Sequence, residues 1–406
     1  MVDHAVPDPF APATLGPATL RNRIIKAATF EGLTPDHVVS DGLIDFHRSM
    51  AAGGVGMTTV AYLAVSAEGC GTPNEIVLTD DAVPGLAAMA EAVNAEGAAV
   101  SAQIGHAGAV AAATGHRGRS PSPYFSPLAM RRTRPVDDAD ISRITGEFAS
   151  AARRVADAGF DAVEVHLGHG YLLSEFLSPK LNRRTDRWGG SLANRARFPR
   201  QVVTAVRDAV GDRLAVIAKL NMADGVPGGL WLDESVEVAR MLEADGALHA
   251  IELTGGSSLE NPMYLFRGEA PIREMAATMG GVMSVGMRLV GRRFLTEYPY
   301  EEAYFLPYAR QFRDALDLPL VLLGGINRRS TIDAAMAEGF EFVAMGRALL
   351  REPDLPNRMA AGATDESLCV HCNKCMPTIY RGTHCVLVDQ GERPGVRLAE
   401  PRRRAA

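Results

Sequence analysis

Short apolar runs, many of them β-branched, alternate along this chain with Ala-rich segments whose apolar positions recur at helical spacing. A continuous apolar run marks a strand buried on both faces, and a 3.6-residue period marks a helix with one buried stripe. The pattern predicts eight strands, at 24–28, 55–61, 98–104, 161–166, 214–220, 250–254, 318–323 and 342–345. It predicts helices between them at 42–52, 84–95, 138–158, 194–210, 234–244, 301–316 and 330–338. Gly53, Gly97, Gly159, Gly211, Gly246 and Gly339 stand where those helices should end, since glycine accepts the left-handed turn that closes a helix. Strand–helix alternation implies a parallel sheet covered by its crossover helices. Eight repeats suggest an α/β fold closed into a single (β/α)8 TIM barrel. The alternative is an open doubly wound sheet, but no G-x-G-x-x-G joins the first strand to the first helix.

Three stretches fall outside this rhythm. Residues 105–135 form a long loop after the third strand, rich in Gly, Pro and Arg. Residues 255–300 follow the sixth strand and carry Met263, Met275, Met279, Met283 and Met287, an adaptable apolar surface. This segment reads either as a cover over the catalytic mouth or as a homo-oligomer contact. Residues 362–406 form a cysteine-bearing tail with a basic end. No low-complexity linker divides the chain, so the expected organisation is a barrel over 1–361 and an extension over 362–406.

Composition narrows the function. Hydrophobic residues are 47% and charged residues 22%, enough apolar material for a large core. The 42 Lys and Arg against 48 Asp and Glu give a net charge of −6 with the basic residues dispersed, so no nucleic-acid partner is expected. No run reaches the roughly 18–20 apolar residues of a spanning helix, and no membrane partner is expected. The start, MVDHAVPDPFAPATL, lacks the basic and apolar regions of a secretory signal. Only five cysteines occur, four of them in 369–385, so a reducing, cytoplasmic setting is expected rather than a disulfide scaffold.

Candidate chemistry gathers at strand ends. His166 closes the fourth strand, with His169 and Tyr171 just beyond. Two imidazoles and a phenol at a barrel rim can bind a carbonyl or anionic oxygen and donate a proton. The alternative is a pair of loop histidines packed under the mouth. Gln103 ends the third strand with an amide that both donates and accepts. Lys219 ends the fifth strand as a barrel cation, with an ordinary salt bridge as the alternative reading. Gly324 and Gly325 follow the seventh strand, and Gly346 and Arg347 follow the eighth. Barrel phosphate sites form at these two loops.

The run H-x-x-H-G-Y-L-L…F-L-S-P…N-R-R-T-D…G-G-S-L-x-N-R-A-R-F resembles the old yellow enzyme family of flavin oxidoreductases. LRNRIIKAA, GGVGMTTVA, QIGHAG, GGI and VAMGRALLREPDLPNR extend the resemblance over residues 10–360. It implies an eight-stranded barrel holding FMN, reduced by NADH or NADPH in a ping-pong cycle. Ala27, Ala28 and Thr29 match positions touching the isoalloxazine, although Ala28 stands where proline is frequent and Phe30 near the residue that tunes potential. Ala61 matches a small residue under the flavin and Gln103 the partner of its pyrimidine edge. Lys219 stands where arginine is frequent and keeps the charge but not the bidentate fork. The two glycine loops and Arg347 match the phosphate site. His166 and His169 would hold the carbonyl oxygen of a small enone-like substrate, and Tyr171 would protonate its α-carbon. Amine demethylation, enone disproportionation or a non-catalytic barrel are the alternatives.

The tail motif Cys369-x2-Cys372-x2-Cys375-x9-Cys385 resembles the tails of related enzymes such as 2,4-dienoyl-CoA reductase and trimethylamine dehydrogenase, with shorter second and third spacings. That resemblance implies a [4Fe–4S] cluster. Zinc held by the four cysteines, or by three with His371 or His384, and a set of free thiols are the alternatives. In each metal reading the four cysteines lie within a few ångströms of one another.

Overall fold

The computed structural model describes residues 6–111, 117–126 and 129–393. The first five residues and the basic segment 394–406 lie outside these, and so do the sequence readings that fall on them. Eight parallel strands form the centre. They are β1 (Ile24–Lys26), β2 (Met57–Ala64), β3 (Ala99–Gly105), β4 (Ala162–Leu167), β5 (Ala215–Asn221), β6 (Ala250–Thr254), β7 (Leu320–Leu323) and β8 (Phe342–Met345). Each pairs with the next, and β8 pairs with β1, so the sheet closes into the expected barrel.

Side-chain alternation divides two cores. On β5, Val216, Ala218 and Leu220 face the helical layer, while Ala215 and Ile217 face the barrel axis. On β4, β6 and β3 the lowest axial residues are Ala162, Ala250 and Ala99. These small side chains share the axial cluster with the larger Ile25, Met57, Ile217, Val321 and Phe342. Below them a hairpin, Ala13–Leu15 paired with Ala18–Leu20, turns Leu15 and Leu20 into the same inner cluster and corks the barrel's N-terminal end. The same parity carries Gln103, Glu164, His166, Lys219, Glu252 and Thr254 inward at the other end.

The helices follow the sequence pattern with small shifts. Asp41–Ala52 is capped by Ser40, and Asp138–Asp157 by an Asp137–Asp140 capping box. The helix expected over 301–316 is shorter, Leu306–Arg313, with Pro307 in its first turn. Ahead of it, Glu302 accepts from the backbone N–H of Asn327 and Arg328 and so anchors the loop after β7. Residues 255–300 are more regular than expected, forming helices Pro262–Phe266, Ile272–Thr278 and Gly281–Phe294. Among the described residues no helix is long and apolar enough to cross a membrane.

Leu20 has no exposed surface in the plug. Leu20→Ala is expected to destabilise the fold by about 2–5 kcal/mol, as buried Leu-to-Ala changes do. A lower denaturant midpoint with an unchanged slope would show it. An unchanged midpoint would mean the hairpin does not cork the barrel.

Candidate active site

The C-terminal end of the barrel opens into a cavity of about 420 Å³. All thirteen residues singled out from the sequence for catalysis or cofactor binding line it. These are Ala27, Ala28, Thr29, Ala61, Gln103, His166, His169, Tyr171, Lys219, Gly324, Gly325, Gly346 and Arg347.

Its floor is polar because strand register sets inward side chains beside one another. Gln103 lies opposite Glu164, and its Nε2 donates to Glu164 Oε1 at 2.6 Å. Lys219 lies opposite Glu252 on one side and His166 on the other. Its Nζ is 3.0 Å from Glu164 and 2.8 Å from Glu252. Burial opposes charge on Lys219, but the two carboxylates together outweigh it and raise its pKa. Burial, then the neighbouring Glu164, push the Glu252 carboxyl up to about 8. The floor therefore presents one fixed cation beside one oriented amide.

His166, His169 and Tyr171 sit together on the adjoining wall. His169 adopts φ 59° in the turn after β4, where its N–H donates to Asn221 Oδ1 at 3.0 Å and its Nε2 meets Thr254 Oγ1 at 2.9 Å. His166 Nδ1 accepts from the Gly168 N–H at 3.3 Å, which leaves its Nε2 to carry the proton. The two imidazoles meet edge-on, with centroids 4.9 Å apart, and Tyr171 lies 4.8 Å from His166. Burial lowers both imidazoles, His169 to about 3, with Lys219 and, for His166, its neighbour His169 adding to the effect. Burial, then Glu75, hold the Tyr171 phenol well above its usual range. At neutral pH the wall is therefore two neutral N–H groups and one neutral O–H.

Small residues and bare backbone form the remaining walls. Gly324 and Gly325 have φ of 114° and 75°, and a Cβ on either would fall 2.5–2.6 Å from Phe305 or Tyr304. Only glycine fits there, so their peptide groups border the cavity directly. Gly346 has room for a Cβ, with Thr29 the nearest neighbour. Arg347 donates to the carbonyls of Phe266 and Arg267 and to Asn373 Oδ1. Amide and cation on the floor, alanines on the face and glycine backbone with arginine at one end suit a flat heterocycle carrying an anionic tail.

Several lining residues were not expected from the sequence. Tyr62 stacks on Tyr171 at 5.2 Å, and Glu75, which burial pushes up to about 7, also borders the cavity. Met275, Met279, Met287 and Phe294 line it from the 255–300 segment, which thus covers the mouth as one sequence reading proposed. The tail supplies Met376, Ile379, Tyr380 and Thr383 as a roof. Thr383 is held by the backbone carbonyls of Glu31 and Phe30.

The four tail cysteines converge on one small second cavity, shared with Arg347 and His371. Cys375 borders both cavities. Among the described residues, however, no three His, Cys, Asp or Glu side chains are arranged to hold a metal ion. This departs from the zinc alternative, for thiolates around one zinc at about 2.3 Å must draw their sulfurs together. The histidines offer no substitute. His371 stacks on Tyr300 with its Nε2 against Asn327, and His384 Nδ1 lies 2.7 Å from the Gly382 carbonyl.

Comparison with known proteins agrees with this architecture. The chain is 55% identical to 4,4'-dithiodibutanoate disulfide reductase of Rhodococcus erythropolis, over 96% of this chain and 97% of that one. It is 31% identical to the multifunctional alkene reductase/demethylase OYE of Caballeronia cordobensis, over 90% of this chain but half of that one. Among solved structures, 2-naphthoyl-CoA reductase in complex with 2-naphthoyl-CoA superposes with a TM-score of 0.81 at 25% identity, over 96% of this chain and 57% of that one. The model of the NADH:flavin oxidoreductase / NADH oxidase family matches residues 8–252, and the chain is a flavin oxidoreductase of that family.

Proposed function

We propose that the chain binds FMN in the barrel-mouth cavity and transfers hydride from NAD(P)H to a small α,β-unsaturated carbonyl compound. The observation that carries this reading is the trio of neutral donors, His166, His169 and Tyr171, on one wall above a fixed cation. FMN would supply the two-electron chemistry, taking hydride from the nicotinamide and returning it to the acceptor. Lys219 and Gln103 would face its polar edge, Ala27, Ala28, Thr29 and Ala61 its ring, and Gly324, Gly325, Gly346 and Arg347 its phosphate. The Lys219 ammonium favours negative charge arriving above the floor, because preorganised charge in a dry site needs no solvent reorganisation.

The acceptor is polarised by hydrogen bonds alone. His166 Nε2–H and, with Thr254 donating to Nε2, His169 Nδ1–H would grip the carbonyl oxygen and draw electron density from the β-carbon. Tyr171 would then protonate the α-carbon. A phenol with a raised pKa is still far more acidic than an enol-type carbanion, so it remains a competent donor.

A second reading, reduction of an organic disulfide, is favoured by the near-full-length relative of that name. One sulfur would take the hydride and the other would leave as a thiolate and then gain a proton. A high-pKa phenol suits that proton less well, which is why the alkene reading leads. Pre-reduced protein mixed with cyclohexenone, and separately with 4,4'-dithiodibutanoate, decides between them by the rate of flavin reoxidation. Reoxidation by the disulfide alone would overturn the alkene reading.

In Tyr171→Phe, reoxidation by the alkene is expected to slow by about 10²–10⁴-fold, the usual worth of a general acid, while flavin reduction by nicotinamide is retained. Equal loss in both half-reactions would mean that Tyr171 is structural.

Glu75 gives a pH signature. Its carboxyl, held up to about 7 by burial, is neutral below that pH and an anion above it. KM for an anionic acceptor is expected to rise above neutrality while that for a neutral enone stays flat. Glu75→Gln removes the rise. The same rise in the Gln variant would assign it to another group.

The four cysteines around the second cavity are the donor set that a [4Fe–4S] cluster takes. Burial raises Cys369 and pushes Cys375 up to about 12, so these thiols need a bound cation to ionise. Anaerobically purified protein is expected to hold about four irons and four sulfides per chain. Four titratable thiols without iron would leave the free-thiol reading.

A further inference from the structure

Helix Gly281–Phe294 is built inside out. In Leu192–Val210, by contrast, Val202, Val203 and Val206 are buried against the barrel. In Gly281–Phe294 only Gly291 is buried, and Met287 and Phe294 reach the site cavity. The opposite face carries Val282, 89% exposed, Val285 and Leu289, 79% exposed, flanked by Met283 and Val290. These positions recur at three- and four-residue spacing, so they form one continuous apolar ridge. Nothing among the described residues covers it.

The same helix carries Arg288, Arg292 and Arg293 and no acidic residue. None of these arginines makes an ion pair or side-chain hydrogen bond among the described residues, and all three are exposed. Two acidic residues flanking the helix in sequence have other partners. Glu274 pairs with Lys374 at 3.3 Å, and Glu297 accepts from the Ala270 N–H at 3.0 Å. The ridge is thus apolar and flanked by arginines with no acidic partner among the described residues.

We propose that this helix docks the protein on an anionic lipid surface, with the ridge in the acyl boundary and the arginines among the headgroups. A protruding helix with an apolar row and free arginines has the chemistry of interfacial anchors, which lie in the membrane surface rather than span it. The expectation of no membrane partner rested on the length of apolar runs, which reports spanning segments only. The net charge of −6 does not oppose docking, since charges beyond about 8 Å are screened at physiological salt. A second copy of the chain fits less well. An isologous contact over this ridge sets the same patch against itself and gathers the three arginines of each copy. The helix that touches lipid is also the one that walls the cavity, through Met287 and Phe294, so docking places the mouth at the bilayer surface.

Flavin-loaded full-length protein is sedimented with vesicles of phosphatidylcholine alone or with added phosphatidylglycerol. Binding is expected only to the anionic vesicles, with release at high salt. Reversing Arg288→Glu, Arg292→Glu and Arg293→Glu together is expected to weaken binding by at least about 100-fold, from the worth of each basic residue at an anionic surface. Val282→Ser, Leu289→Ser and Val290→Ser together should weaken it by at least about 10-fold. Both variants should keep circular dichroism and NADH turnover with a soluble acceptor, as the changed side chains point to solvent. Absence of sedimentation, or equal sedimentation with both vesicle types, would overturn the proposal. So would a concentration-dependent dimer in light scattering that the serine variant abolishes, which would assign the ridge to a second copy.

Discussion

The ammonium of Lys219, enclosed between Glu164 and Glu252, is the contact on which the rest of the site depends. A charge buried without a partner costs several kcal/mol, and a buried pair persists only when its remaining polar atoms are also satisfied. Here Glu164 holds Lys219 and the amide of Gln103 together. One carboxylate therefore aims both polar groups of the floor. Burial, with a smaller contribution from Lys219, keeps the histidines above it neutral, which makes them hydrogen-bond donors rather than counter-ions. Floor and wall are one electrostatic unit, assembled by the register of β3 to β6.

A second buried cluster supports the opposite wall. Lys26 points outward from β1 into the helical layer, where its Nζ meets Glu31 at 2.9 Å and Thr29 at 2.8 Å. Glu31 also takes the Ala61 N–H, which a register shift between Val60 and Leu63 frees from the ladder. Burial pushes Glu31 up to about 7 and lowers Lys26, and the attraction between the two groups opposes both shifts. Thr29 and Ala61 border the cavity, and this cluster holds them from behind, Thr29 through its hydroxyl and Ala61 through its N–H.

The barrel was legible because parallel strands buried on both faces leave unbroken apolar runs, and glycines punctuate the helices between them. The His166, His169 and Tyr171 trio and the glycine loops were legible because they stand at strand ends. Lys26, Glu164 and Glu252 were missed, although a charge inside an apolar strand was the available signal. Glu164 lies two residues before His166 and Glu252 two before Thr254, so strand parity alone aims them at the same axis. The helical nature of 262–294 was hidden by its glycines and by apolar positions that do not face the core. Nothing local marked Thr383 as a cavity residue, since its hydrogen-bond partner Phe30 lies 353 positions earlier in the chain.

That last separation bears on how the molecule is made. The carbonyls of Phe30 and Glu31 emerge early in synthesis, yet their partner Thr383 follows only after the whole barrel has been translated. Domains can begin to fold while still on the ribosome, so the barrel can close around its axis with its upper opening bare. A flavin arriving then would meet an open bowl. Its lid comes down only when residues 376–383 are released and Thr383 reaches back to the first strand's end. Loading before release and loading after it are thus physically different events, the first into a solvent-swept depression and the second through a narrowed entrance.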